Sequence, residues 1–157
     1  MKLSNHDINL HLEIQEALLD ELYQQGLSHY PKEYGGLLIG RYTDDHSTAI
    51  IEKTILPKRY KASLYYFERG SEGLKEELEA LYQQEPKLFY VGEWHTHPDG
   101  PVDPSGWDKA TMALLIKDEN VFIYNPILLI LAINKTGYKV GAYVQHYDRL
   151  HTYETAE

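Results

Sequence analysis

The sequence predicts an α/β protein built on a single mixed β-sheet flanked by helices. Three observations point to it: apolar residues repeat with a period of two in some segments and near 3.6 in others, the two kinds of segment interleave, and tight-turn residues separate successive strand-like runs. The chain has 157 residues, 43% hydrophobic and 25% charged. That length and composition suit one domain with a sizeable core, and no repeat or Pro/Gly-rich linker divides it, so one domain over residues 1–157 is expected.

Taken in order, Ile8, Leu10, Leu12 and Ile14 alternate with polar residues and read as a strand. Leu18, Leu19, Leu22 and Tyr23 then fall at helical spacing up to Gly26, a C-terminal stop. EYGGLLIGRY (33–42) and TAIIEKTIL (48–56) flank the turn-forming Asp44-Asp45-His46-Ser47 and read as a hairpin. Residues 57–70, PKRYKASLYYFERG, mix basic and aromatic side chains without a clean period and read as loop with a short strand. Leu74, Leu78, Leu81 and Tyr82 mark an amphipathic helix ending near Pro86. LFYVGEWHTHP (88–98) is a strand running into a loop, and PSGWDKATMALLIKD (104–118) is a helix opened by Pro and Ser. PILLILAINK (126–135) and YKVGAYVQHY (138–147) are two strands joined at Thr136-Gly137, and the polar residues 148–157 are expected to fray.

Fifteen Lys and Arg against 24 Asp and Glu give a net charge of −9. Such a surface is a poor partner for nucleic-acid backbones or anionic membranes but tolerates basic substrates. The absence of cysteine excludes disulfides, a thiol nucleophile and thiolate-ligated metals, so any metal must be held by His, Asp or Glu. Residues 1–13 carry charges and histidines where a secretory signal needs an apolar core. The longest apolar run, Ile127 to Ile133, falls well short of the roughly 20 residues that span a bilayer. A cytoplasmic location is expected.

The chemistry concentrates between residues 93 and 108. His95 and His97 lie two apart at a strand end, on one face, so both imidazoles can reach one ion. Asp108 stands in the first turn of the following helix, where its spacing with Met112 and Leu115 turns it toward the sheet; a carboxylate so placed needs a partner or a metal. Two His and one Asp make three ligands and leave a fourth position for water. Each part has a plainer reading: His-x-His alone is a weak motif, Ser105 to Asp108 is also a helix-capping pattern, and Pro98, Pro101 and Pro104 make a rigid loop. The whole string HTHPDGPVDPSGWD, however, would arise by chance on the order of once in a million. Glu93 shares the parity of 95 and 97 and is either a fourth ligand or an imidazole-orienting partner. Gly35 and Gly36 fit a close backbone approach. Trp94 and Trp107 are expected in the core rather than on substrate, and the remaining histidines (6, 11, 29, 46, 146, 151) in ordinary packing or on the surface. The stretch from Lys58 to Phe67 either covers an extended substrate tail or is an ordinary edge strand.

This string, preceded by EYGGLLIG, resembles the signature of the JAB/JAMM (MPN+) zinc metallopeptidases. The resemblance implies the JAB/MPN, cytidine-deaminase-like sandwich, zinc (Zn2+) on His95, His97 and Asp108, Glu33 as general acid/base and Ser105 as a support for the oxyanion. GEWHTHP and the small size are more similar to a bacterial branch containing the deubiquitinase-like deconjugating peptidases of CBASS antiphage operons. The implied substrate is a protein with a flexible C-terminal tail, either a ubiquitin-like modifier or a conjugated nucleotidyltransferase, recognised by strand addition and pockets. Two alternatives stand beside it: a peptidase that trims a sulfur-carrier or ubiquitin-like protein, and a non-catalytic MPN interaction module.

Overall fold

Residues 1–118 and 123–155 are described by the computed structural model. The first strand-like run is β2 (Leu10–Ile14); it pairs antiparallel with β1 (Lys2–Asn5), which lies before the run expected from the sequence, and helix α1 (Glu16–Leu27) follows. Gly26 is not a helix stop. It lies in the last turn, where a Cβ would stand 2.5 Å from Cγ2 of Thr96, so its smallness lets α1 press against the strand that carries the candidate ligands. The predicted hairpin is β3 (Gly35–Tyr42) with β4 (Thr48–Ile55). The 57–70 stretch holds two short strands rather than one, β5 (Tyr60–Ala62) and β6 (Phe67–Arg69), paired in a separate two-stranded sheet. After α2 (Leu74–Gln83) come β7 (Phe89–Pro98), α3 (Gly106–Leu115), β8 (Ile127–Asn134) and β9 (Gly137–His146).

The last residues correct the expectation of a frayed 148–157 tail. Arg149–Thr152 form β10 against β9, and Glu154–Thr155 form β11 against β1; residues 156–157 lie outside the described residues. Tyr153 between them is only 6% exposed, and its N–H donates to the Ala142 carbonyl at 2.9 Å. These residues are polar in sequence, and the alternation that marks a half-buried strand is too short there to read.

The main sheet has nine strands in the order β10-β9-β8-β7-β3-β4-β2-β1-β11, with β2/β4 and β7/β8 parallel and the other pairs antiparallel. Its two outermost strands are therefore consecutive in the chain, separated by Tyr153 alone. Only a strongly curled sheet allows this, and Asn5 Nδ2 closes the seam on the Thr152 carbonyl at 2.9 Å. The enclosed face packs on α1: Leu18, Leu19 and Leu22 join Leu12, Trp94, Leu129, Val144 and Tyr153 in one core. On the outer face α2 covers Leu37, Ile39 and Ile55, while α3 sets Met112 against Leu128, Ile130 and Tyr143. The stretch of β7 between these two helices carries the candidate site. The fold is α/β, a mixed sheet with three helices.

Candidate metal centre

Alternation along β7 turns Trp94 and Thr96 into the enclosed core and leaves Glu93, His95 and His97 on the other face. Trp94, 1% exposed, donates its indole N–H to Thr54 Oγ1 at 2.7 Å, which meets the expectation for that tryptophan. Gly35 of β3 lies opposite His95 and Gly36 opposite Trp94. A Cβ on Gly35 would fall 2.1 Å from the Trp94 carbonyl, and one on Gly36 would fall 2.6 Å from the Ile55 carbonyl. Both positions require glycine for the strands to close. One step beyond, Tyr34 N–H donates to Thr96 Oγ1 at 3.0 Å and Thr96 N–H to the Tyr34 carbonyl at 2.8 Å. That register sets Glu33 across from His97, with Oε1 of the buried carboxylate 4.0 Å from His97 Nε2.

Helix α3 delivers the third donor. Ser105 Oγ accepts the Asp108 N–H at 3.1 Å and Asp108 Oδ2 accepts the Ser105 N–H at 2.7 Å, a complete capping box. Capping and ligation are thus compatible here, because the box locks the rotamer that points Asp108 at the histidines. Nε2 of His95 and Nε2 of His97 stand 3.1 Å apart; Asp108 Oδ1 is 3.2 Å from the first and Oδ2 3.4 Å from the second. His97 Nδ1 faces the Pro101 carbonyl at 2.8 Å, so it carries the proton and leaves the lone pair on Nε2.

Two imidazole nitrogens and a carboxylate at these separations repel or compete unless a proton or a cation lies among them. Metal bonds of about 2.0–2.2 Å in a tetrahedron separate neighbouring donors by roughly 3.3–3.6 Å, close to the 3.1 Å between the two Nε2 atoms and the 3.2 Å from His95 Nε2 to Asp108 Oδ1. His95, His97 and Asp108 are also the one group among the described residues whose donor atoms cluster tightly enough to hold a metal. Burial raises the Asp108 carboxyl, but hydrogen bonds from His95 and His97 outweigh it and hold the group far below the usual carboxylate range. Burial likewise lowers His97, and its hydrogen bonds to Asp108 and Pro101 with the charge of Glu33 raise it overall. Glu33 is raised, chiefly by burial, with the two histidines opposing.

Glu93 takes neither of the roles its parity allows. Its Oε1 accepts from Arg69 Nε at 2.9 Å, Arg69 Nη2 at 2.6 Å and the Tyr90 hydroxyl at 2.5 Å. Trp107 also departs from expectation: it is 53% exposed at the start of α3, its ring 5.5 Å from that of Tyr66 at the tip of the β5–β6 hairpin. Between hairpin and helix runs a cleft of about 410 Å³ lined by Phe67, Arg69, Trp107, Met112 and Leu115 and reaching His95 and Asp108.

A curled mixed sheet with a His-x-His strand, a capped aspartate and a facing glutamate is the arrangement of a JAB domain. The chain belongs to that family: residues 15–144 match Prok-JAB, the prokaryotic homologs of the JAB domain. It is 35% identical over 133 residues to a CD-NTase/cGAS isopeptidase of Enterobacter hormaechei, covering 83% of this chain and 73% of that protein. It is 25% identical over 124 residues to a probable metalloprotease, y4qB, of Sinorhizobium fredii, covering 75% and 73% of the two chains. The solution structure of protein DSY2949 from Desulfitobacterium hafniense shares the fold, with a TM-score of 0.65 at 21% identity over 91% of this chain and 90% of that one. Family and relatives together support a hydrolase. No helix among the described residues is long and apolar enough to cross a membrane.

Proposed function

We propose that this chain is a zinc-dependent isopeptidase that releases a target protein from the C-terminus of a conjugated CD-NTase-type nucleotidyltransferase or ubiquitin-like modifier, reversing conjugation in antiphage defence. The observation that carries the reading is the donor set itself: His95, His97 and Asp108, each with a ligand atom within 4.8 Å of the others, and the Glu33 carboxylate beside them, Oε1 4.0 Å from His97 Nε2. The donors are two imidazoles and a carboxylate, a nitrogen–oxygen set suited to hydrolytic zinc. The name of the Enterobacter relative supplies the substrate class.

Zinc bound there would supply Lewis acidity that acidifies water and polarises an amide carbonyl. The residues do the rest. Glu33, raised by burial, takes the proton from the attacking water and returns it to the departing amine. Ser105 Oγ already accepts the Asp108 N–H, so its own proton is available to the carbonyl oxygen as negative charge develops. The C-terminal tail of the modifier lies in the cleft between the hairpin and α3, where backbone edge and apolar wall stand side by side. The leaving amine is a lysine side chain in an isopeptide and a main-chain nitrogen in a linear fusion, and this machinery serves both.

The test uses a CD-NTase joined through its C-terminal tail to a reporter protein, incubated with wild type and Glu33→Gln, with and without chelator. Glu33→Gln is expected to retain zinc and lose about 10²–10⁴-fold in rate, and chelation to abolish wild-type cleavage until zinc is restored. Full activity of the variant would remove Glu33 from its role. A zinc-free wild type inert toward this fusion and toward a ubiquitin-like fusion would favour an interaction module.

A further inference from the structure

The β5–β6 hairpin touches both halves of the centre. The carbonyl of Ser63, between its two strands, accepts the Glu33 backbone N–H at 2.9 Å. At its far end Arg69 grips Glu93, two residues before His95, with two N–H groups on one carboxylate oxygen, and Tyr90 O–H completes the set. Arg69 and Glu93 side chains are each only 19% exposed, so the pair is far better shielded than the other ion pairs of the hairpin region, such as Arg59 with Glu72 at 82% and 54%. The hairpin forms its own sheet with no ladder to the nine-stranded one. Its seat on β7 therefore depends on side chains, and Arg69 is the charged one.

The Glu33 segment is held from two sides. Thr96 of β7 pins Tyr34, and Ser63 of the hairpin pins Glu33 itself. Releasing the hairpin would leave the strand-side contact intact while freeing the peptide that sets the direction of the Glu33 side chain. We propose that the Arg69–Glu93 pair is a positioning clamp: it seats the hairpin on the metal-bearing strand and through Ser63 holds the general base over the reacting centre. Arg69 is on this view a positioning residue rather than a substrate-binding one, although it borders the cleft. The proposal rests on the isopeptidase reading for its kinetic consequence but not for its structural one.

Three disrupting variants and one conservative one separate the possibilities: Arg69→Met, which keeps the stem; Glu93→Gln, nearly isosteric and the safeguard if the first folds poorly; the double variant; and Arg69→Lys, which keeps the charge. Amide hydrogen exchange on the metal-free protein reads the clamp directly, with Glu33 expected to lose protection in each variant while Tyr34 and Thr96 keep theirs. In the cleavage assay kcat is expected to fall about 10–100-fold with KM within about twofold and zinc content unchanged; the double variant should be no worse than either single one, and Arg69→Lys should recover part of the loss. A raised KM at unchanged kcat in Arg69→Met, absent from Glu93→Gln, would make Arg69 a substrate contact and overturn the proposal. Unchanged Glu33 protection in both single variants would overturn it as well. If wild type cleaves nothing while Glu33 protection still falls, the isopeptidase reading fails and the clamp stands.

Discussion

His97 offers Nδ1–H to Pro101 and leaves Nε2 to either a proton or a metal. Its pKa in the metal-free protein is raised above the ordinary 6.5, so metal must displace a proton at and somewhat above that pH. Apparent zinc affinity is expected to be flat well above the raised value and to fall about tenfold per pH unit below it, the loss starting at higher pH than an ordinary histidine would give. Competition with a chromogenic chelator across pH 5.5–8 measures this, and replacing Asp108 by Asn should both weaken binding and move the onset down. At this scale the candidate ligands are legible because strand parity and a capped first helical turn are local rules. Glu33 came from the resemblance alone, since its placement depends on the β3/β7 register. Glu93 shows the limit of parity, which gives the face but not the neighbour: its partner Arg69 sits in a stretch with no clean period, and only the fold brings the two together.

Between elements the decisive contact is β3 on β7. The 2.1 Å gap between a Gly35 Cβ and the Trp94 carbonyl is backbone against backbone, so neither side can yield by turning a rotamer. Gly35→Ala is expected to cost about 1–3 kcal/mol and, by pushing His95 aside, to reduce zinc content at a pH where Ser47→Ala, in the exposed β3–β4 turn, does not. Denaturant midpoints at unchanged m and metal analysis of the two variants measure it. The long apolar strands β3, β4, β8 and β9 and all three helices announced themselves by period and length. The elements that escaped are the short ones, β1, β5, β10 and β11, of two to four residues each, whose pairing is decided by partners distant in sequence.

The whole molecule is a sheet curled until one short run of chain serves both of its margins. That geometry bears on substrate capture. A strand added to the main sheet would have to dock on β10 or β11, four and two residues long, which are poor templates. The β5–β6 hairpin has strands of only three residues, but Phe67 and Arg69 of β6 line the cleft, so a tail bound there depends on side-chain pockets more than on strand pairing. The curl also makes Tyr153 a keystone of the core: Tyr153→Ala is expected to destabilise by about 3–5 kcal/mol, read as a lower denaturant midpoint. The same truncation at Tyr147, 77% exposed, should fall within about 0.5 kcal/mol of wild type. The single seam has a further consequence for how the protein is made. β1 is translated well before β11, yet Leu3 meets its outer partner only in Thr155. Until β11 has been made that margin stays open, so the sheet is completed by a long-range pairing, the slow and association-prone kind.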